Sequence, residues 1–235
     1  HVAIAQPKVI AISFLYFLIP TILVLLQPDL GTSLVLFGIW FGYLLVSELP
    51  LRHIAVAFLA FILIGFLAWN FGLADYQKER ISALFSPGTD PLGINYSVLQ
   101  SKIAIGSAGF FGKGFGQGAQ VQLGFLPAAK TDFIFSAFVE EWGLLGGLLV
   151  ITAFFYLIYR ILQLGMRSYN NFAKFVSLGT AITFFIHFSV NLGSALGLLP
   201  VIGISLPLVS YGGSNLLTMA ALIGIIAGIH EKRSV

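Results

Sequence analysis

In "LPAAKTDFIF" (126–135) an acid, Asp132, follows Lys130 and Thr131 and directly precedes an apolar run that begins a membrane-length segment. An acid in that position either caps the coming helix or serves as a functional carboxylate at the membrane surface. The other acids read more simply. Asp29, after Pro28 and just ahead of a helical pattern, reads as a cap. Asp75, Glu79 and Asp90 are interspersed with Lys78 and Arg80 and read as solvated. Glu140 and Glu141 fall one to two turns inside a span, where an acid costs several kcal/mol unless paired or hydrated, so they read as cavity-lining. Thr183, His187 and Asn191 recur every four residues on one helix face, which suits hydrogen bonding between helices or an intramembrane functional site.

Two glycine motifs invite a nucleotide reading and fail it. "SAGFFGKG" (107–114) resembles a phosphate loop, but Ser107 replaces its first glycine and Gly114 stands where Ser or Thr should follow Lys113. "GFGQGA" (114–119) has dinucleotide-loop spacing, yet no hydrophobic strand precedes it. What remains is a glycine-rich loop with Lys102 and Lys113. It either brings backbone N–H groups to an anionic headgroup or packs on the helices.

The elements that must position these residues follow from composition. Of 235 residues, 58% are hydrophobic and 9% charged, against about 25% charged in soluble domains. So little polar surface requires a lipid bilayer. Six apolar spans are expected, near 9–26, 33–47, 54–71, 135–159, 174–198 and 214–230, in an all-α polytopic bundle forming a single integral membrane domain over 1–235. The third and fourth are separated by a long loop, 72–134. Lys8, Arg52, Arg160, Arg167, Lys174, Lys232 and Arg233 collect on one side, whereas the short loops 27–32 and 198–213 contain no Lys or Arg. The positive-inside rule makes the first side, with the C-terminus, cytoplasmic and turns the 72–134 loop, with Asp132, outward. A net charge of +3 from few groups suits membrane orientation and gives no reason to expect nucleic acid. There is no cysteine, and the scattered His1, His53, His187 and His230 show no metal-ligand spacing. "GLLPVIGISLPLVSYGGSN" (197–215) is broken by Pro200, Gly203, Pro207, Gly212 and Gly213, so its backbone must pack in protein or border a wet cavity. Paired glycines at 38/42, 143/147, 193/197 and 224/228 suggest close helix contacts.

Three stretches, "QPDLGTSLV" (27–35), "QSKIAIGSAGFFGKGFGQGAQVQLGFLPAAKTDFIFSAFVEEWGLLG" (100–146) and "GLLPVIGISLPLVSYGGSN", resemble the SEDS (shape, elongation, division and sporulation) family of RodA and FtsW, and more closely its RodA branch. The likeness spans the chain. It implies ten membrane helices, of which this chain would hold the last six, truncated at the N-terminus. It also implies the bacterial cytoplasmic membrane and peptidoglycan glycosyl transfer, polymerising lipid II into glycan strands beside a class B penicillin-binding protein.

By the same resemblance Asp132 is the catalytic residue, the general base for the acceptor 4-hydroxyl in an inverting transfer. Lys102 and Lys113 are the candidates to stabilise the departing pyrophosphate, with Lys130, Gln100, Ser101, Glu141, Ser210 and Tyr211 as further candidate substrate contacts. No cofactor motif appears, though a divalent cation carried by the pyrophosphate is compatible with this scheme. Two departures stand out. Ala128, Ala129 and Lys130 replace a more polar triplet, and Ala108 replaces a glycine. Two rival functions remain on sequence alone. One is a lipid II flippase using the broken segment and the intramembrane polar groups. The other is a non-catalytic scaffold of the cell-wall synthesis complex.

Overall fold

A computed structural model describes residues 7–27, 29–46, 49–85, 93, 95–168 and 170–231. Among these the regular structure is helical: α1 (Pro7–Leu25), α2 (Leu30–Val46), α3 (Leu51–Leu67), α4 (Asp75–Phe85), α5 (Tyr96–Ser107), α6 (Ala119–Gln122), α7 (Ile134–Met166), α8 (Asn171–Ala195) and α9 (Gly213–Glu231). The segments 134–166, 171–195 and 213–230 are long and apolar enough to cross a membrane, while Ala11–Leu25, α2 and α3 are shorter apolar helices. The chain is an all-helical polytopic membrane protein. With 33 residues, α7 exceeds the about 20 that cross a hydrocarbon layer, and it is broken at Gly143. The 72–134 connection contains α4, α5 and α6 and is itself largely folded.

Packing divides the chain into two compact units, 1–82 and 83–235. In the first, aromatic side chains carry the contacts between helices. Phe37 of α2 stacks on Phe61 of α3 with centroids 3.6 Å apart, and Trp40 stacks on Phe17 of α1 at 5.2 Å. Asp29 caps α2. Its carboxylate accepts the Thr32 N–H at 3.0 Å and the Thr32 hydroxyl at 2.6 Å, satisfying a donor that the first turn leaves without a partner.

The second unit is organised around α7 and α8. Phe154 stacks on Phe188 at 4.9 Å, and a Cβ placed on Gly165 would lie 2.5 Å from Ser177 Cβ, so the two helices meet closely there. The sequence singled out other glycines for such contacts. At Gly224 and Gly228 an added Cβ would meet nothing within 4 Å, and Gly143 has another role, described below. A buried polar staple adds α5: Ser101 donates to the Ala195 carbonyl and shares a 2.6 Å bond with Ser136. A hydroxyl carries one proton, so Ser136 is the donor in that second bond. At the end of α8 the N–H of Leu198 returns to Gly193 and that of Gly197 to Ser194. Gly197 supplies the left-handed φ of +67° this reversal needs.

Candidate active site

The approach to α7 positions Asp132. The helical ladder begins with the Ala137 N–H bonding to the Phe133 carbonyl, and Phe133 occupies the cap position with no side-chain cap bond. The acid therefore stands one residue ahead of the cap. The carbonyls of Lys130, Thr131 and Asp132 lie outside the ladder and need external donors. Each has one. The Tyr211 N–H donates to Lys130 at 2.8 Å. The Ser210 hydroxyl donates to Thr131 at 2.6 Å, and the Asn191 amide to Asp132 at 2.9 Å. Three consecutive carbonyls are thus clamped, two by the broken segment and one by α8, and the half-buried Asp132 is carried on a fixed backbone.

The clamping segment is itself pinned. Ser210 is 6% exposed and accepts the Leu206 N–H at 2.8 Å while donating to Thr131. The second hydrogen of the Asn191 amide goes to the Ile204 carbonyl at 2.9 Å. His187 lies 3.3 Å from the Ser205 carbonyl through Nδ1, and a carbonyl only accepts, so Nδ1 carries the proton. Asn215 donates to the Ser205 hydroxyl, and Ser194 to the Pro200 carbonyl. Of the polar face of α8 read from the sequence, His187 and Asn191 satisfy irregular backbone, as apolar surroundings demand, while Thr183 bonds back to the Gly179 carbonyl of its own helix.

A second cluster lies eight residues into α7. There the helix breaks at Gly143, with φ 74° and ψ −174°. In an unbroken helix the N–H groups of Leu144 and Leu145 would bond to the carbonyls of Glu140 and Glu141. Instead they donate to Gly109 and Phe110, while Glu140 and Glu141 accept from Lys113 and Gly114. The glycine loop is inserted into the ladder of a membrane helix. The fit excludes side chains: a Cβ on Gly112 would lie 2.1 Å from the Glu141 oxygen, and one on Gly143 would lie 2.3 Å from the Gly112 nitrogen. The Lys113 and Gly114 amides are thus engaged inside the fold and are not offered to a headgroup.

Lys113 also bonds through its ammonium to Glu140 at 2.7 Å, and the Gln120 N–H reaches the same carboxylate oxygen at 3.1 Å. Glu140 is wholly buried, whereas the Lys113 side chain is 29% exposed. The remaining candidates are dispersed. Lys130 and Tyr211 are exposed beside Asp132 in the chain of bonds just described. Gln100 is half-buried on α5, and Ser101 is buried in the polar staple. Lys102 is exposed and lies over the end of α8, where a Cβ on Gly197 would come within 2.6 Å of its Nζ. Glu141 is half-buried at the helix break. The structure joins Lys130, Asp132, Ser210 and Tyr211 in one clamp and gathers Lys113, Glu140 and Glu141 in another.

The sequence places Asn191 on a polar helix face and Glu140 along a cavity, and joins neither to Asp132. The signal for Asn191 was its register with His187 beside a segment rich in backbone without regular partners. Among the described residues no three His, Asp or Glu side chains converge as a metal site.

The profile of the cell cycle protein family FTSW_RODA_SPOVE matches residues 3–235. The chain is 42% identical over 222 residues to peptidoglycan glycosyltransferase MrdB of Escherichia coli K12, covering 94% of this chain and 60% of that protein. Among solved structures it resembles a peptidoglycan synthase complex described as coordinating polymerization and crosslinking. That match has a TM-score of 0.78 at 35% identity, over 98% of this chain and 64% of the other. Thermus thermophilus rod shape determining protein RodA matches with a TM-score of 0.62 at 30% identity, over 95% and 56%. The chain spans about 60% of the length of the MrdB relative.

Proposed function

The chain belongs to the cell cycle protein family of FtsW, RodA and SpoVE, and from that premise we propose that it serves peptidoglycan glycosyl transfer, polymerising lipid II with Asp132 as general base. The supporting observation is the clamp on the carbonyls of Lys130, Thr131 and Asp132, which holds one carboxylate at a set position on the approach to a membrane helix. The base takes the proton from the 4-hydroxyl of the acceptor N-acetylglucosamine as that oxygen bonds to the donor's anomeric carbon. The bond to undecaprenyl pyrophosphate breaks on the opposite face, with inversion. Positioned proton transfer of this kind contributes about 10²–10⁴ in rate. Lys130, exposed beside the acid, offers its charge to the departing pyrophosphate, and Lys102 is a second cation in solvent. Lys113, bonded to a buried carboxylate, is the least suited of the three to that role.

The basic connection around Arg160, Arg167 and Lys174 supports a cytoplasmic placement of that end, with Asp132 at the outer face where lipid II presents its sugars. The likeness to a synthase complex supports a class B penicillin-binding protein as partner. The transport rival would run through Glu140, Glu141 and His187. Two of these are bonded to internal partners, which disfavours a mobile path.

The test uses the full-length protein with lipid II in detergent, where no second compartment exists for transport. Glycan polymer from the parent and none from folded Asp132→Ala is the expected result. Equal polymer from both sinks the general base.

A further inference from the structure

Asn191 is 1% exposed, and both hydrogens of its amide are engaged, one on the Asp132 carbonyl and one on the Ile204 carbonyl, each at 2.9 Å. Both partners are acceptors, so the side-chain nitrogen must face them and the amide orientation is determined. Its Oδ1 is buried with no hydrogen-bond partner. A buried amide that leaves its acceptor unsatisfied carries a cost that an apolar residue would avoid. The two donors are what this position supplies. They link three elements: α8, the broken segment and the residue that carries the acid.

We propose that Asn191 is a positioning residue for Asp132, fixing the acid's backbone to the 200–212 segment so that the carboxylate meets the acceptor hydroxyl in line. The inference rests on the glycosyl-transfer reading above and adds a residue to it. The Asp132 carbonyl lies outside the α7 ladder, since the first helical bond is made to Phe133. The Phe133 N–H end of that peptide reaches the Ala128 carbonyl at 3.2 Å, its Asp132 carbonyl end takes the Asn191 donor, and Ser210 and Tyr211 hold the two residues before it. Rotation of one peptide displaces a side chain by an ångström or more. A misplacement of that size can lower a rate by about 100-fold. Substrate affinity, set by groups elsewhere, is left nearly unchanged.

The experiment measures kcat and KM for lipid II in the full-length protein carrying Asn191→Leu, which keeps the volume and removes both donors. Two companions are Asn191→Ser, whose single hydroxyl is too short to reach both carbonyls, and Ser194→Ala. The last strips a donor from the Pro200 carbonyl on the same helix without touching Asp132. Expected are a kcat lower by about 10–100-fold in Asn191→Leu with KM within about twofold, and a smaller kcat loss in Asn191→Ser. Ser194→Ala should keep parental kcat even where its melting temperature falls.

Parental kcat in Asn191→Leu overturns the proposal. So does a kcat loss in Ser194→Ala equal to that of Asn191→Leu, which would mark a general effect of stability. If Asn191→Leu does not fold, parental kcat in Asn191→Ser overturns it. Asp132→Ala is run alongside. If it polymerises like the parent, the glycosyl-transfer role of Asp132 fails. If it is inactive while the Asn191 variants match the parent, only the positioning inference fails.

Discussion

The Lys113 ammonium lies 2.7 Å from a carboxylate oxygen of Glu140, joining a lysine in partial contact with solvent to an acid with none. The pair is unequal. Removing the lysine leaves a negative charge in a buried site, whereas removing the acid leaves a lysine able to turn outward. Lys113→Ala should therefore cost about 3–5 kcal/mol, and Glu140→Ala distinctly less than that. The double variant Lys113→Met with Glu140→Leu should recover part of the loss. Thermal unfolding of the full-length protein in detergent checks the order. A larger loss from Glu140→Ala would contradict it.

The inserted glycine loop makes a steric prediction. Gly112→Ala places a methyl group 2.1 Å from the Glu141 carbonyl at a φ of +81°, and neither backbone can yield without opening the break in α7. Folded protein should be lost. Gly116→Ala, also at positive φ (+70°) but with nothing within 4 Å, should cost only about 1–2 kcal/mol. Yield of the monodisperse species on size exclusion separates the two.

Ser210 and Tyr211 hold neighbouring carbonyls by different means, so their variants should diverge. Ser210→Ala removes a donor to Thr131 and an acceptor for the Leu206 N–H, and should destabilise by about 1–3 kcal/mol. Tyr211 contributes its backbone N–H to the clamp while its side chain is 80% exposed. Tyr211→Ala should leave the melting temperature within about 1 °C, since exposed substitutions change stability by less than about 0.5 kcal/mol. Its effect should fall on KM for lipid II. A large drop in stability would show that the ring packs.

Asp29 supplies a prediction for the first unit. Asp29→Ala should cost about 0.5–2 kcal/mol through loss of the cap on α2, and Asp29→Asn, which still accepts from Thr32, should lose less. A thermal melt of the two variants beside the parent decides it. Equal losses would mean that the charge matters more than the hydrogen bond.

Much of this molecule is legible in its residues. Scarce charge and long apolar runs imply a helical membrane protein, because backbone in lipid must satisfy its own hydrogen bonds. The "TDFIF" stretch locates the acid, and the proline and glycine breaks of 197–215 predict irregular backbone buried in protein, which Asn191, His187 and Ser194 are found to satisfy. The insertion of 109–114 into α7 was not legible. It pairs residues about 30 apart through main-chain atoms, and such pairing leaves no periodic trace. Gly143 looked like half of a helix-contact motif because its left-handed φ cannot be read from its neighbours. One close approach, Gly165 on Ser177, lies outside the glycine pairs, whereas Gly197, within them, meets Val98 and Lys102 of α5. Lys113 looked substrate-directed for the same reason, its buried partner lying 27 residues ahead.

The break at Gly143 has a consequence for the shape of α7. Kinked membrane helices commonly expose carbonyls that water or a hydroxyl must fill, whereas here main-chain groups of another part of the chain are spliced into the gap. The short stub of α7 that follows the acid therefore takes its bearing from the length of 109–114, and lengthening that insert by one residue would swing the stub against the rest of the helix.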